Sequence, residues 1–227
     1  MNAVLDNFDK YLIGFGYTIA LFLVSGVLSL ILGTALAAGR VGPVAVLRKA
    51  TAVYVTVVRN TPLVIMFAFF SFAAPMFGIK FNWLDISLGK LDFTAFYGAA
   101  VVSLTLYTST FVCEALRSGV NAVPLGQAEA ARAIGLPFGG VMTQVVLPQA
   151  FRASVPPLAS TMIALIKNTS VAAVFGIAEA TAQMRSLNND FASQRTVIFL
   201  CFAFGFVVLV EIFSFFASQL ERAWRIA

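Results

Sequence analysis

Five apolar runs set the pattern of this chain, at residues 12–38, 52–77, 93–116, 154–176 and 196–218, and the shorter tracts between them hold most of its charge. A helix needs about 20 residues to cross a hydrocarbon layer of roughly 30 Å, and each run is long enough. The pattern predicts an all-α membrane protein, a single transmembrane domain over 1–227 with five spans. Within the first run Ser25, Ser29, Gly33 and Ala37 recur every four residues. They line one helix face with small side chains, the kind of face on which membrane helices pack closely.

Local breaks refine the picture. The second run contains Arg59-Asn60-Thr61-Pro62. Proline lacks a backbone donor and disfavours helix at the residue before it, so a broken or bent helix is expected there, near the inner surface. A simple kink with Arg59 reaching toward lipid headgroups remains equally open. The fourth run follows Arg152 with Pro156-Pro157 in its first turn, where proline costs little. Residues 78–92 and Glu179–Arg195 read as outer loops, the second holding Asn188, Asn189, Asp190 and Gln194. Trp83, Tyr97 and Trp224 suit the membrane interface. No internal repeat is visible, and an odd span count argues against a simple pair of inverted repeats.

The longest interruption runs from Val123 to Pro148 and reads as two short helices. Pro124 occupies a first helical position, Leu125–Ile134 is rich in strong helix formers, and Gly135 stops them. Pro137 opens the second helix and Pro148 ends it. The first carries a small-sided surface, Ala128, Ala130, Ala131 and Ala133, around Glu129 and Arg132. Such a helix fits a partner's groove, its charges fixing register. It fits equally a surface helix held by local ion pairing.

Composition confirms the membrane class: 60% of the 227 residues are apolar and 11% charged, with mean hydropathy +0.91. The net charge of +5 is better explained by cytoplasmic loops than by nucleic acid. Arg40, Arg48 and Lys49 follow the first span without an acidic neighbour, which places that loop inside, the N-terminus outside and the C-terminus inside. The inner side then holds those three with Arg117, Arg132, Arg152, Arg222 and Arg225, the outer side only Lys10, Lys80, Lys90, Arg185 and Arg195. Met1–Lys10 carries Asp6 and Asp9 and lacks the basic start of a cleaved signal peptide.

With no His and only Cys113 and Cys201, metal sites, nucleophilic dyads and disulfides are disfavoured, and no catalytic residue is expected. A phosphate-binding GxxxxGK[ST] loop is missing too, so ATP-driven work would need another chain to bind ATP and Mg. Lys167 is the deepest charge, roughly 15 Å beyond Pro157 at ~1.5 Å per residue. A charge near the midplane costs at least about 2.5 kcal/mol on insertion scales, so Lys167 is expected to line a wet path or pair between helices. Glu211 is one partner to consider, although it lies nearer the inner surface, and Glu114 with Arg117 forms a local pair at the end of the third span.

Glu129-Ala130-Ala131, Gly135, Val145 and Leu147-Pro148 resemble the EAA signature of permease subunits of bacterial ATP-binding cassette (ABC) importers, with Val145 where Ile is usual. Arg59-Asn60-Thr61-Pro62-Leu63, Val123-Pro124, Gly126-Gln127, Leu147-Pro148-Gln149-Ala150 and Lys167-Asn168-Thr169-Ser170 are similar to the polar amino acid branch. The resemblance implies a type I importer fold in the bacterial inner membrane, with Glu129, Ala130, Ala131, Arg132 and Gly135 docking on an ATPase subunit and Leu147-Pro148 closing the segment. Phe138-Gly139-Gly140 departs from the bulkier residues common there and softens the second helix. It implies as partners two ATP-binding subunits, a second permease subunit, identical or homologous, and an extracytoplasmic substrate-binding protein. Lys167, Asn168, Thr169, Ser170, Arg59, Asn60 and Thr61 become substrate-path candidates. Asn168 stands where many of the branch carry Asp, leaving Lys167 uncompensated and favouring glutamate over glutamine or arginine. A self-contained secondary transporter or channel is the rival class, and a membrane enzyme a distant third.

Overall fold

The computed structural model describes residues 2–81 and 86–224; Trp83, Arg225 and the side chain of Trp224 lie outside the described part. The helices are α1 (Asn2–Leu5), α2 (Phe8–Val41), α3 (Ala45–Asn60), α4 (Leu63–Ala68), α5 (Ala74–Met76), α6 (Ala95–Asn121), α7 (Leu125–Ala133), α8 (Phe138–Gly140), α9 (Leu147–Asn168), α10 (Ala180–Asp190) and α11 (Arg195–Trp224). Among the described residues four helical stretches are long and apolar enough to cross a membrane, or five if the bent pair Ala45–Asn60 and Leu63–Met76 is one span. The tract after the second run contains a small antiparallel hairpin, β1 (Ile86–Leu88) with β2 (Leu91–Phe93), where a plain loop was expected.

Helix α6 is the centre of the bundle: 67% of its most apolar window is buried, against 11% for α11. Two faces explain this. Ser25, Ser29, Gly33 and Ala37 are all buried, as the four-residue repeat predicts. A Cβ at Gly33 would sit 2.5 Å from Val112 Cβ and 2.8 Å from the Ser109 carbonyl, so α2 and α6 touch nearly backbone to backbone. The buried hydroxyls of Ser25 and Ser29 donate to carbonyls one turn back, Leu21 and Ser25, so their burial leaves no polar atom unmet.

Prolines account for most departures from the predicted boundaries. The fourth span starts far earlier than Ser154: α8, a π-helical stretch Val141–Val146, α9 and a 3₁₀ stretch Thr169–Phe175 form one helical rod, 138–175. Pro148 therefore does not end a helix, and Pro156-Pro157 lie inside α9, not in a first turn. A proline ring crowds the carbonyl four residues before it and supplies no donor. The wider π geometry just ahead of Pro148 relieves that conflict, and the same device, Phe69–Ala73, precedes Pro75. At Pro62 no such relief exists, and the chain turns by 99°. That corner is deeper than the inner surface: Tyr54 donates to the Leu106 carbonyl and Ser103 to the Met66 carbonyl, so the middle of α6 flanks it.

The ends also differ in detail. Arg40 lies in the last turn of α2, not in a loop, and its guanidinium pairs with Glu114, which also meets Arg117 at 3.5 Å. The expected Glu114–Arg117 pair is thus one half of a three-residue cluster tying α2 to α6. The Glu179–Arg195 tract holds α10 and a 3₁₀ turn. Lys10 pairs with Asp190 at 3.3 Å and joins the start of α2 to the end of α10.

Candidate functional site

The Val123–Pro148 segment stands out from the bundle as a short helix on a stalk. Pro124 is the N-cap of α7 and not its first residue. Gly135 ends the helix at φ +90°, its N–H bonding the Arg132 carbonyl at 2.9 Å while Leu136 N–H bonds Ala131 at 3.1 Å. That paired geometry is a Schellman turn, which glycine enters without the Cβ penalty. Nothing lies within 4 Å of where a Gly135 Cβ would stand. The restriction at Gly135 inside this chain is therefore conformational, and the space around it is open.

One face of α7 holds it to the rod. Ala131 is buried against Val141 and Val146, with Ala128, Leu136 and Val123 around them. Gln149 donates from α9 to the Gln127 carboxamide. Ala131 thus faces its own chain, a correction to its place on a docking surface. The opposite face is free: Glu129, Ala130, Arg132 and Gly135 are exposed. Among the described residues Glu129 and Arg132 make neither an ion pair nor a side-chain hydrogen bond, which removes local ion pairing as the reason for their presence. Leu125 and Ile134, at the two ends of the helix, are 80% and 81% exposed. Sequence reasoning missed both, since a single Leu and Ile in a polar tract carry no signal until the fold shows them uncovered. Leu147 and Pro148 are exposed at the foot of the segment.

The second cluster lies at the end of α9. Leu165 packs against Gly26, near the middle of the 34-residue α2, which puts Lys167 at mid-depth in the bundle. Lys167 and Ser170 line a cavity of about 510 Å³ with Thr181 and Met184 of α10 and Glu211 of α11, whose remaining contribution is apolar, five Phe or Val residues and Ala203. Lys167 and Glu211 share this cavity without an ion pair, one cation and one anion facing a largely apolar space. Asn168 is half-buried. Thr169 departs from expectation: it is fully buried and its hydroxyl donates to the Ile166 carbonyl at 2.7 Å. Its role is to close the helix where α9 tightens to 3₁₀, so it does not border a path. Ser170 likewise donates to the Lys167 carbonyl at 2.7 Å.

Arg59, Asn60 and Thr61 form the corner between α3 and α4; Arg59 and Asn60 are exposed, and the Thr61 hydroxyl returns to the Val57 carbonyl at 2.9 Å. No hydrogen bond or ion pair among the described residues joins this corner to Lys167–Ser170. The two are linked only through packing, Phe67 of α4 stacking on Phe175 at 5.2 Å.

Glu179 is a residue that the sequence did not flag. It is the N-cap of α10, fully buried, and its carboxylate accepts from the N–H of Thr181 at 3.0 Å and of Ala182 at 2.9 Å. It lies between two membrane-spanning stretches, beside Thr18 of α2. Burial raises its pKa to about 7 against the pull of those N–H donors and the hydroxyls of Thr181 and Thr18. Because Thr181 and Met184 line the Lys167 cavity, Glu179 positions one of its walls.

Residues 27–226 match the family described as binding-protein-dependent transport system inner membrane component. The glutamate transport system permease protein GluC of Corynebacterium efficiens is 44% identical over 200 residues, 86% of this chain and 85% of that protein. The probable glutamine ABC transporter permease protein GlnP of Bacillus subtilis is 35% identical, covering 92% of this chain and 90% of that one. In fold, the chain is similar to the crystal structure of an amino acid ABC transporter with histidines, with TM-score 0.84, 24% identity and 97% and 96% of the two chains covered. The MetNI methionine ABC transporter in an inward-facing form follows, with TM-score 0.71 and 20% identity over 97% and 99%.

Proposed function

The chain belongs to the binding-protein-dependent transport system inner membrane components, and from that premise we propose that it is the transmembrane subunit of an ATP-driven importer of glutamate. It is a multi-pass protein of the inner membrane. The substrate assignment rests on one observation, the 44% identity to a glutamate permease along most of both chains. Glutamine, the substrate in the name of a more distant relative, is the second choice. The N-terminus lies outside and the C-terminus inside, as the placement of Lys and Arg supports.

Coupling runs through α7. Its exposed Glu129, Ala130 and Arg132, flanked by Leu125 and Ile134, dock into a groove on an ATPase subunit that binds ATP and Mg, one such subunit for each of two permease subunits. The second permease is identical or homologous, and an extracytoplasmic binding protein delivers substrate. Closure of the ATPase pair moves α7, and Gln127–Gln149 with Ala131–Val141 packing passes that motion to the α8–α9 rod. Lys167, Asn168 and Ser170 lie on the moving rod and present an ammonium and hydrogen-bonding groups to an acidic amino acid. This chain performs no covalent chemistry.

The test is ATP hydrolysis by the reconstituted complex with its binding protein. Glutamate is expected to stimulate the rate several-fold more than glutamine or arginine at equal occupancy of the binding protein. Equal or greater stimulation by glutamine would move the assignment to glutamine.

A further inference from the structure

A separate cavity of about 360 Å³ lies where α4 and α5 end, at the opposite end of the bundle from α7, and transport as described above does not use it. Its construction begins at Pro75. Gly78, at φ +82°, bonds back to the Pro75 carbonyl and Ile79 to Ala74, each at 3.1 Å, so the chain reverses and brings Lys80 and Phe81 over the helix end. Phe81 is buried and meets Phe70 edge to face at 6.3 Å. Ala95 and Phe96, the first turn of the 27-residue α6, close the other side.

Three independent features point to an anion. The Lys80 ammonium is exposed at the cavity and makes no hydrogen bond or ion pair among the described residues. The α6 N-terminus has no side-chain cap from Thr94; the Thr94 carbonyl takes the N–H groups of Tyr97 and Gly98, while those of Ala95 and Phe96 make no hydrogen bond among the described residues. Ser71, only 8% exposed, lines the cavity with its hydroxyl unpartnered. The rest of the wall is apolar, Phe70, Phe81 and Phe96 with Pro75, Ala95 and Ala99, and the neighbouring Met76, Phe77 and Phe72 are 86%, 77% and 57% exposed.

We propose that this cavity binds an anionic phospholipid, its phosphate held by Lys80, Ser71 and the start of α6 and its acyl chains lying along Phe70, Phe81 and Phe96. A free amino acid fits less well, because its α-ammonium needs an acceptor and none of the described residues that line the cavity is acidic. Charge and apolar surface side by side are what a lipid presents at the headgroup boundary.

Native mass spectrometry of the whole transporter, exchanged into nanodiscs of phosphatidylglycerol or phosphatidylcholine, tests this independently of which amino acid is carried. One phosphatidylglycerol is expected to remain per copy of this chain under conditions that strip phosphatidylcholine. Lys80→Glu should lower that retention at least fivefold and Ser71→Ala about twofold, with the thermal transition of the complex unchanged for Lys80→Gln, which lowers retention less. Equal retention of both lipids, or full retention in Lys80→Glu, would overturn the proposal. Glycerol phosphate added in tenfold excess is expected not to displace the lipid; displacement under that condition would make the site one for a free phosphate and overturn the lipid assignment.

Discussion

Gly135 and Glu179 show how single residues hold the two working parts in place. At Gly135 the demand is a left-handed backbone, since the space for a side chain is open. Gly135→Val should lower transport at least tenfold, whereas Gly135→Asn, which tolerates that conformation, should retain much of it. Equal loss in both would show that the docking surface, and not the turn, excludes a side chain there. Glu179 gives a pH signature. Its folded-state pKa of about 7 lies above the usual 4.5, so the folded protein holds the proton more tightly than the unfolded one. Stability is then highest below about 4.5 and declines as pH rises toward 7, by up to roughly 3 kcal/mol from this group alone. The melting temperature of the purified complex should fall between pH 5 and 7.5, and Glu179→Gln should flatten that slope; a parallel slope in the variant would contradict it. Glu129, Arg132 and Gly135 were legible in the sequence because they interrupt an apolar chain. Glu179 was not, because Glu is an uncommon N-cap and its burial depends on Thr18, 161 residues earlier.

At the scale of elements, the α2–α6 seam and the proline-rich rod carry the fold. The small-residue repeat on α2 forecast the seam, and Gly33→Leu tests it, because Val112 and the Ser109 carbonyl occupy the space the side chain needs. Overpacking of this kind costs roughly 1–3 kcal/mol or more and should lower the melting temperature of the complex by several degrees. An unchanged transition would show that the helices separate without loss. The existence of the apolar elements was plain from their hydropathy, but their limits were not. Prolines normally mark helix ends, and Pro148, Pro156 and Pro157 sit within one helical rod, where neighbouring helices and a π-helical stretch absorb the lost hydrogen bonds. Arg40 was misplaced for a similar reason: Gly39 reads as a loop residue, yet α2 runs on to Val41 so that Arg40 meets Glu114.

At the scale of the whole chain one rod connects α7 to the mid-depth cavity, with α7 braced against Val141–Val146 at its start and Lys167 at the far end of α9. Large apolar side chains on α11, Phe204, Phe215 and Phe216 among them, are 57–69% exposed and available to lipid or to a second permease subunit. Sequence reading predicted a helix at α7 but not its braced and open faces, because which alanine points inward is decided by packing on residues 10–15 positions later. Coupling of an ATPase to glutamate movement through the open face of α7 is checked by ATP-dependent glutamate uptake into proteoliposomes carrying Leu125→Asp and Ile134→Asp together. At least a tenfold loss of uptake and loss of the co-purifying ATPase subunit are expected, with the variant still inserted in the membrane. Undiminished uptake with the ATPase retained would contradict it.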